Sequence, residues 1–195
     1  TIFLYLVLYG RRREKMNEKA YLKEIRKGNQ EALNAFIETL YPSVYRYVFC
    51  KVSGKEEAKD ITQEVFLRFI KQIHNYQSNG KVLAYLYTIA MNCCHTYYRK
   101  EKRFDYTELN DEISKDDYNL SEDVLHTLTF EELRLCLQKL PDKDQDILIF
   151  HYLKQMTFKE ISQITNESEN TLKTRHYRAL AKMKKIIKDG DQHVS

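Results

Sequence analysis

Apolar residues recur every three or four positions through most of this chain, the period of an amphipathic helix. Near the C-terminal end Phe158, Ile161 and Ile164 form one apolar stripe on a short helix. Thr165-Asn166-Glu167-Ser168 interrupts it: Asn166 tolerates a left-handed backbone and Ser168 is a good N-cap for a second helix. Leu172, His176, Ala179, Leu180, Met183 and Ile187 then line one face of that longer helix. A short helix, a tight turn and a longer helix predict a helix-turn-helix, whose second helix enters a major groove.

The first half reads the same way. Tyr21, Leu22 and Ile25 face inward on a helix over Glu18–Arg26, which Gly28-Asn29 closes. Ala32, Leu33, Phe36, Ile37 and Leu40 make a second helix, expected to end at Tyr41-Pro42 because the residue before proline avoids helical geometry. A third is expected over Val44–Val52, stopping at Gly54. Ile61, Val65, Phe66, Phe69, Ile70 and Ile73 bury one side of a fourth, with Asp60, Gln63, Glu64, Arg68 and Lys71 on the other. After the polar loop His74–Gly80, a Tyr-rich helix runs from Val82 to Arg99 around Leu86, Ile89, Ala90 and Cys93. With only 2 Pro and 5 Gly in 195 residues, the fold class is all-α: two small helical domains, 16–103 and 127–190, joined by a flexible linker over 104–126.

Charge sharpens this division. The net charge is only +4. Yet Glu101–His126 holds nine acids against three bases, too charged and too polar to fold alone. The last helix instead carries seven cations (Lys173, Arg175, Arg178, Lys182, Lys184, Lys185 and Lys188) and no acid between Asn170 and Lys188. That asymmetry, behind a capped turn, points to nucleic acid. The Tyr-rich helix, with Tyr85, Tyr87, Tyr97 and Tyr98, runs into Arg99, Lys100, Lys102 and Arg103. Rings beside cations suit single strands, whose unstacked bases stack while the cations hold phosphates.

Other classes recede. There is no Gly-rich phosphate loop and no nucleophile with an evident base, so no enzyme is expected. Cys50, Cys93, Cys94 and Cys136 form no CxxC pair and read as reduced core residues, with no metal and no cofactor expected. The apolar run Ile2–Tyr9 falls short of the ~20 residues that span a bilayer. Its basic residues come after it, unlike those of a signal peptide. Residues 1–15 are therefore expected to be an upstream extension or disordered. The protein is expected to be cytoplasmic, without membrane insertion.

Two stretches of the first domain, Ala58-Lys59-Asp60-Ile61-Thr62-Gln63-Glu64-Val65-Phe66 and Leu83-Ala84-Tyr85-Leu86-Tyr87-Thr88-Ile89-Ala90-Met91-Asn92, resemble region 2 of the bacterial extracytoplasmic-function (ECF) sigma factors. Leu140-Pro141, Glu160-Ile161 and Thr171-Leu172-Lys173-Thr174-Arg175 with Arg178-Ala179 resemble their region 4, so the likeness covers about Glu18–Lys188. Departures are Tyr85 in place of the usual Trp and Thr96 in place of a common Asp. Asn166 and Asn170 stand at usual Gly positions, which αL tolerance allows, and Thr165 and Glu167 stand where apolar residues are usual.

The resemblance implies a division of roles. Asp60, Gln63, Glu64 and Arg68 would dock on core RNA polymerase. Asn75, Tyr76, Lys81, Tyr85, Asn92, Arg99 and Arg103 would capture the melted −10 element of promoter DNA. Ser168, Thr171, Lys173, Thr174, Arg175, Arg178 and Lys182 would bind the duplex −35 element, with Arg175 and Arg178 foremost at base edges or phosphates. The acidic linker would thread the polymerase's basic channels, and an anti-sigma factor would hold the protein, a monomer, inactive. The competing expectation is a stand-alone helix-turn-helix regulator that binds duplex DNA without polymerase.

Overall fold

The computed structural model describes residues 17–77, 80–101 and 129–191, which are helical with no strand among them. They fall into two compact units divided after Glu101. The first holds α1 (Glu18–Arg26), α2 (Gln30–Lys51), α3 (Lys55–Gln72) and α4 (Val82–Glu101). The second holds α5 (Phe130–Gln138), α6 (Asp142–Leu148), a π-helical turn (Ile149–Leu153), α7 (Phe158–Thr165) and α8 (Glu169–Asp191). Residues 1–15, Arg103 and the linker 104–126 lie outside the described residues.

In the first unit asparagines start the helices. Asn17 and Asn29 accept the backbone N–H groups of Ala20 and Ala32 at 3.2 and 3.0 Å, and Gly28 takes the positive φ (86°) that turns α1 into α2. The expected break at Tyr41-Pro42 does not occur. Pro42 lies inside α2, which runs unbroken through 22 residues. Proline removes one helical hydrogen bond, but Phe36, Leu40, Val44, Tyr47 and Val48 form a continuous buried stripe on both sides of it. Burying such side chains is worth about 1.5–3 kcal/mol each, more in sum than the local penalty. The core is closed by α3 and α4 across α2, with Phe36 stacked on Phe69 at 5.4 Å.

In the second unit two capping boxes set the helix starts. Thr129 with Glu132, and Thr157 with Glu160, exchange side-chain and backbone hydrogen bonds at α5 and α7. Asn166 adopts the left-handed conformation (φ 58°) that ends α7, and the Ser168 hydroxyl accepts the Thr171 N–H at 3.1 Å to start α8. Asn170, by contrast, needs no αL tolerance, because the cap at Ser168 has already placed it in the helix. Leu172, His176, Ala179, Leu180, Met183 and Ile187 are all buried, as their spacing predicts.

His176 sits in an aromatic cluster with His151, Tyr152 and Phe158, with ring centroids 4.8–5.5 Å from its own. Its Nε2 lies 3.2 Å from the Tyr152 hydroxyl. Burial, then the neighbouring His151, push its pKa down to about 4. The unfolded imidazole takes up its proton near pH 6.5, so the unfolded chain binds more protons between these values. Stability is complete above about pH 6.5 and drains away as the pH falls toward 4. Urea titration of this unit is expected to lose roughly 2 kcal/mol between pH 7 and pH 5, and His176→Phe should remove that loss. A flat dependence in the parent protein would contradict a buried neutral imidazole.

Candidate nucleic-acid interface

Three exposed faces carry the residues singled out from the sequence. On α3, Asp60, Gln63 and Arg68 are exposed and Glu64 half-exposed, along one stripe spaced three and four apart. Arg68 Nε donates to Glu64 Oε1 at 2.6 Å, and this bond holds the Glu64 carboxyl below its usual range. The stripe also holds Leu67, 52% exposed, which sequence reading left out. Its position three and four residues from Glu64 and Gln63 was the available signal.

The second face is the segment between α3 and α4. Asn75 and Lys81 are exposed, whereas Tyr76 and Tyr85 are half-buried and stacked on each other at 4.9 Å. Both meet Phe69 edge-on, at 5.7 and 6.1 Å, so a chain of rings runs from the Phe36 core out to the loop. The Tyr85 hydroxyl donates to Gln72. Asn92 and Arg99 come after Tyr85 at seven-residue intervals, exposed on α4, and Arg99 reaches Thr96 at 3.4 Å. Thr96 spends its own hydroxyl hydrogen on the Asn92 carbonyl, at 2.9 Å.

The anchorage of this loop comes from α1, and no local sequence signal announced it. The buried Glu18 carboxylate accepts the Val82 N–H at 3.0 Å, at the first turn of α4 where a negative charge meets unpaired N–H groups. The Tyr76 hydroxyl donates to the same carboxylate at 3.4 Å. Burial first, then Glu18, push the Tyr76 phenol well above its ordinary pKa. One helix length away, Arg26 donates to the Ile73 carbonyl at 3.0 Å and to the Tyr76 carbonyl.

The third face is on α8. Ser168, Thr171, Lys173, Thr174 and Arg178 are exposed, together with Tyr177 (51%), which sequence reading missed although it lies between Thr174 and Arg178 on that face. Arg175 and Lys182 sit elsewhere. Arg175 grips Glu167 through both carboxylate oxygens, at 2.9 and 3.2 Å, and approaches Asp144 to 3.9 Å. Lys182 Nζ reaches the other oxygen of Asp144 at 2.9 Å. Burial works against the Glu167 charge, but Lys143 and Arg175 outweigh it and hold its carboxyl below the usual range. The polar Glu167 of the turn thus finds its compensation in a cation from α8. Thr165 adds to this by accepting the Glu167 N–H at 3.3 Å.

Among the described residues no group of three or more His, Cys, Asp or Glu is placed to hold a metal ion, and no helix is long and apolar enough to cross a membrane.

The family model for Sigma-70 region 2 matches residues 36–104, and that for Sigma-70, region 4 matches residues 130–183. The ECF RNA polymerase sigma factor SigM of Bacillus subtilis (strain 168) is 32% identical over 148 residues, 75% of this chain and 90% of the relative. SigW of the same organism, also an ECF RNA polymerase sigma factor, is 28% identical over 182 residues, 88% and 97% of the two chains. Among solved structures, CnrH in complex with the cytosolic domain of CnrY superposes with a TM-score of 0.65 at 15% identity, covering 87% of this chain and 96% of that one. The sigma factor RpoE in complex with the anti-sigma factor NepR from Bartonella quintana gives 0.61 at 15% identity, covering 80% and 96%. These two likenesses are of fold.

The half-buried grip of Glu167 on Arg175 has a measurable worth. Arg175→Ala is expected to destabilise the C-terminal unit by about 1.5–3 kcal/mol, as for a charged hydrogen-bonded pair, whereas exposed Lys173→Ala should cost under about 0.5 kcal/mol. Urea titrations of the two variants make the comparison.

Proposed function

The chain belongs to the ECF sigma factors of bacterial RNA polymerase, and from that premise we propose that it binds core polymerase and directs promoter recognition, melting and initiation. The observation that carries this reading is the order of parts in one chain. A docking stripe and an aromatic–basic loop occupy one helical unit, and a basic recognition helix occupies the other. Domain 16–103 would serve polymerase and the −10 element, domain 127–190 the −35 element, and 104–126 would join them.

The stripe of Asp60, Gln63, Glu64 and Arg68 docks on the polymerase, with Leu67 as the apolar anchor at its centre. The loop with Asn75, Tyr76 and Lys81, and the α4 face of Tyr85, Asn92 and Arg99, receive the unpaired −10 strand. Arg103 belongs with them by its sequence position. An extruded base gains a pocket that the duplex lacks, which offsets the few kcal/mol of unstacking. On α8, Lys173, Thr174, Tyr177 and Arg178 face the −35 groove, and Ser168 and Thr171 position the phosphate backbone at the helix start. Arg175 and Lys182 act one step back, fixing α8 through Glu167 and Asp144. The protein works without catalytic chemistry or a cofactor of its own, in the cytoplasm, as a monomer. An anti-sigma factor of the kind seen in the second solved neighbour holds it in check.

Reconstitution with sigma-free bacterial core polymerase tests the reading. The chain should form a complex, and Leu67→Ala together with Gln63→Ala should weaken it roughly tenfold, the worth of one buried aliphatic contact. Lys173→Ala should leave core binding intact and weaken binding to a −35 duplex. A protein that binds duplex DNA equally well alone, and core not at all, would be the stand-alone regulator instead.

A further inference from the structure

One charged surface is left unused by this reading. Lys19, Lys23 and Arg26 project from α1 and Lys27 from its C-cap, and with the buried Leu22 they line one cleft of about 410 Å³. All four cations are exposed. Lys19, Lys23 and Lys27 recur every four residues, about 6 Å of helix rise, with Arg26 beside Lys27 on the same face. Of the two acids on the same helix, Glu24 is paired with Lys27 at 2.8 Å and the buried Glu18 is turned to Val82 and Tyr76. Neither Lys19 nor Lys23 makes an ion pair among the described residues.

A lysine stripe on an isolated helix is ordinarily a solvated face. Here the helix is tied to the loop at both of its ends. Glu18 binds Val82 and Tyr76, and Arg26 binds the carbonyls of Ile73 and Tyr76. The guanidinium of Arg26 therefore belongs to both surfaces, lining the cationic cleft while fixing the backbone of the loop. A strand whose bases sit at Asn75, Tyr76 and Tyr85 leaves the loop beside a row of positive charge.

We propose that α1 carries a phosphate-binding face, Lys19, Lys23 and Lys27 around Arg26, that holds the backbone of the single DNA strand whose bases the adjoining loop captures. The proposal rests on the reading of that loop as the −10 site. It assigns α1 a sequence-independent share of affinity, because phosphate contacts position a strand and base contacts specify it. The loop would choose the strand, and α1 would retain it.

The test uses holoenzyme reconstituted from core polymerase and the full chain, titrated with a fluorescent single strand bearing a −10 sequence selected from a random pool. The triple variant Lys19→Gln, Lys23→Gln, Lys27→Gln leaves Arg26 and its loop contacts in place. It should bind every strand about tenfold more weakly at moderate salt, with the slope of log affinity against log salt reduced by about 2, some 0.7 per phosphate. Asn75→Ala, in contrast, should alter which sequences bind and leave the slope unchanged. Unchanged affinity and slope in the triple variant, beside a measurable Asn75→Ala effect, would overturn the proposal and spare the loop reading. Loss of affinity for core polymerase itself would make the patch a protein interface and overturn it equally. If the parent holoenzyme selects no strand above background, the loop reading fails and the proposal with it.

Discussion

A segment that must offer its polar groups to nucleic acid cannot use those same groups to hold itself in place. Both units of this protein meet that constraint with charged side chains supplied by neighbouring elements. In the first, Glu18 and Arg26, at the two ends of one short helix, hold the Ile73–Val82 connection through Val82, Tyr76 and Ile73. In the second, Glu167 and Asp144 hold Arg175 and Lys182, so that the opposite face of α8 is left to solvent. In the second unit, removing Glu167 or Asp144 leaves a half-buried cation without its partner, which costs more than the pair contributes.

These anchors set the geometry of both faces. With the loop fixed from outside, Tyr76 and Tyr85 stack into a platform that is continuous through Phe69 with the Phe36 core. On the proposed reading, a preset platform lowers the ordering cost of base capture as it competes with duplex stacking. With α8 fixed, Lys173, Thr174, Tyr177 and Arg178 come forward together on one side. On the proposed reading the C-terminal unit serves a duplex groove and the first unit an unpaired strand.

Much of this was legible in the sequence, because most of it is local. The stripe from Leu172 to Ile187, the left-handed Asn166 and the Ser168 cap need only a few consecutive residues to be read. The capping-box spacings Thr129–Glu132 and Thr157–Glu160 are equally local, although they were not among the expected caps. Local rules failed where a tertiary effect outweighed them. Pro42 should end a helix, and does not, because the buried stripe continues past it. Arg175 and Arg178 look alike as basic residues, yet Arg175 sits three positions from Leu172 and four from Ala179, at the edge of the buried stripe. That edge turns it toward Glu167 and Asp144. The Glu18 and Arg26 anchors join residues 47 to 64 positions apart and left no periodic trace.

A sigma factor of this kind should open promoter DNA only in company with core polymerase. Permanganate footprinting of unpaired thymines tests it most directly, with core polymerase and the purified protein on a varied pool of candidate promoters. The account predicts reactive thymines in the −10 region only when both proteins are present. Duplex binding by the chain alone, with no unpaired thymine on any promoter and no complex with core polymerase, would contradict it.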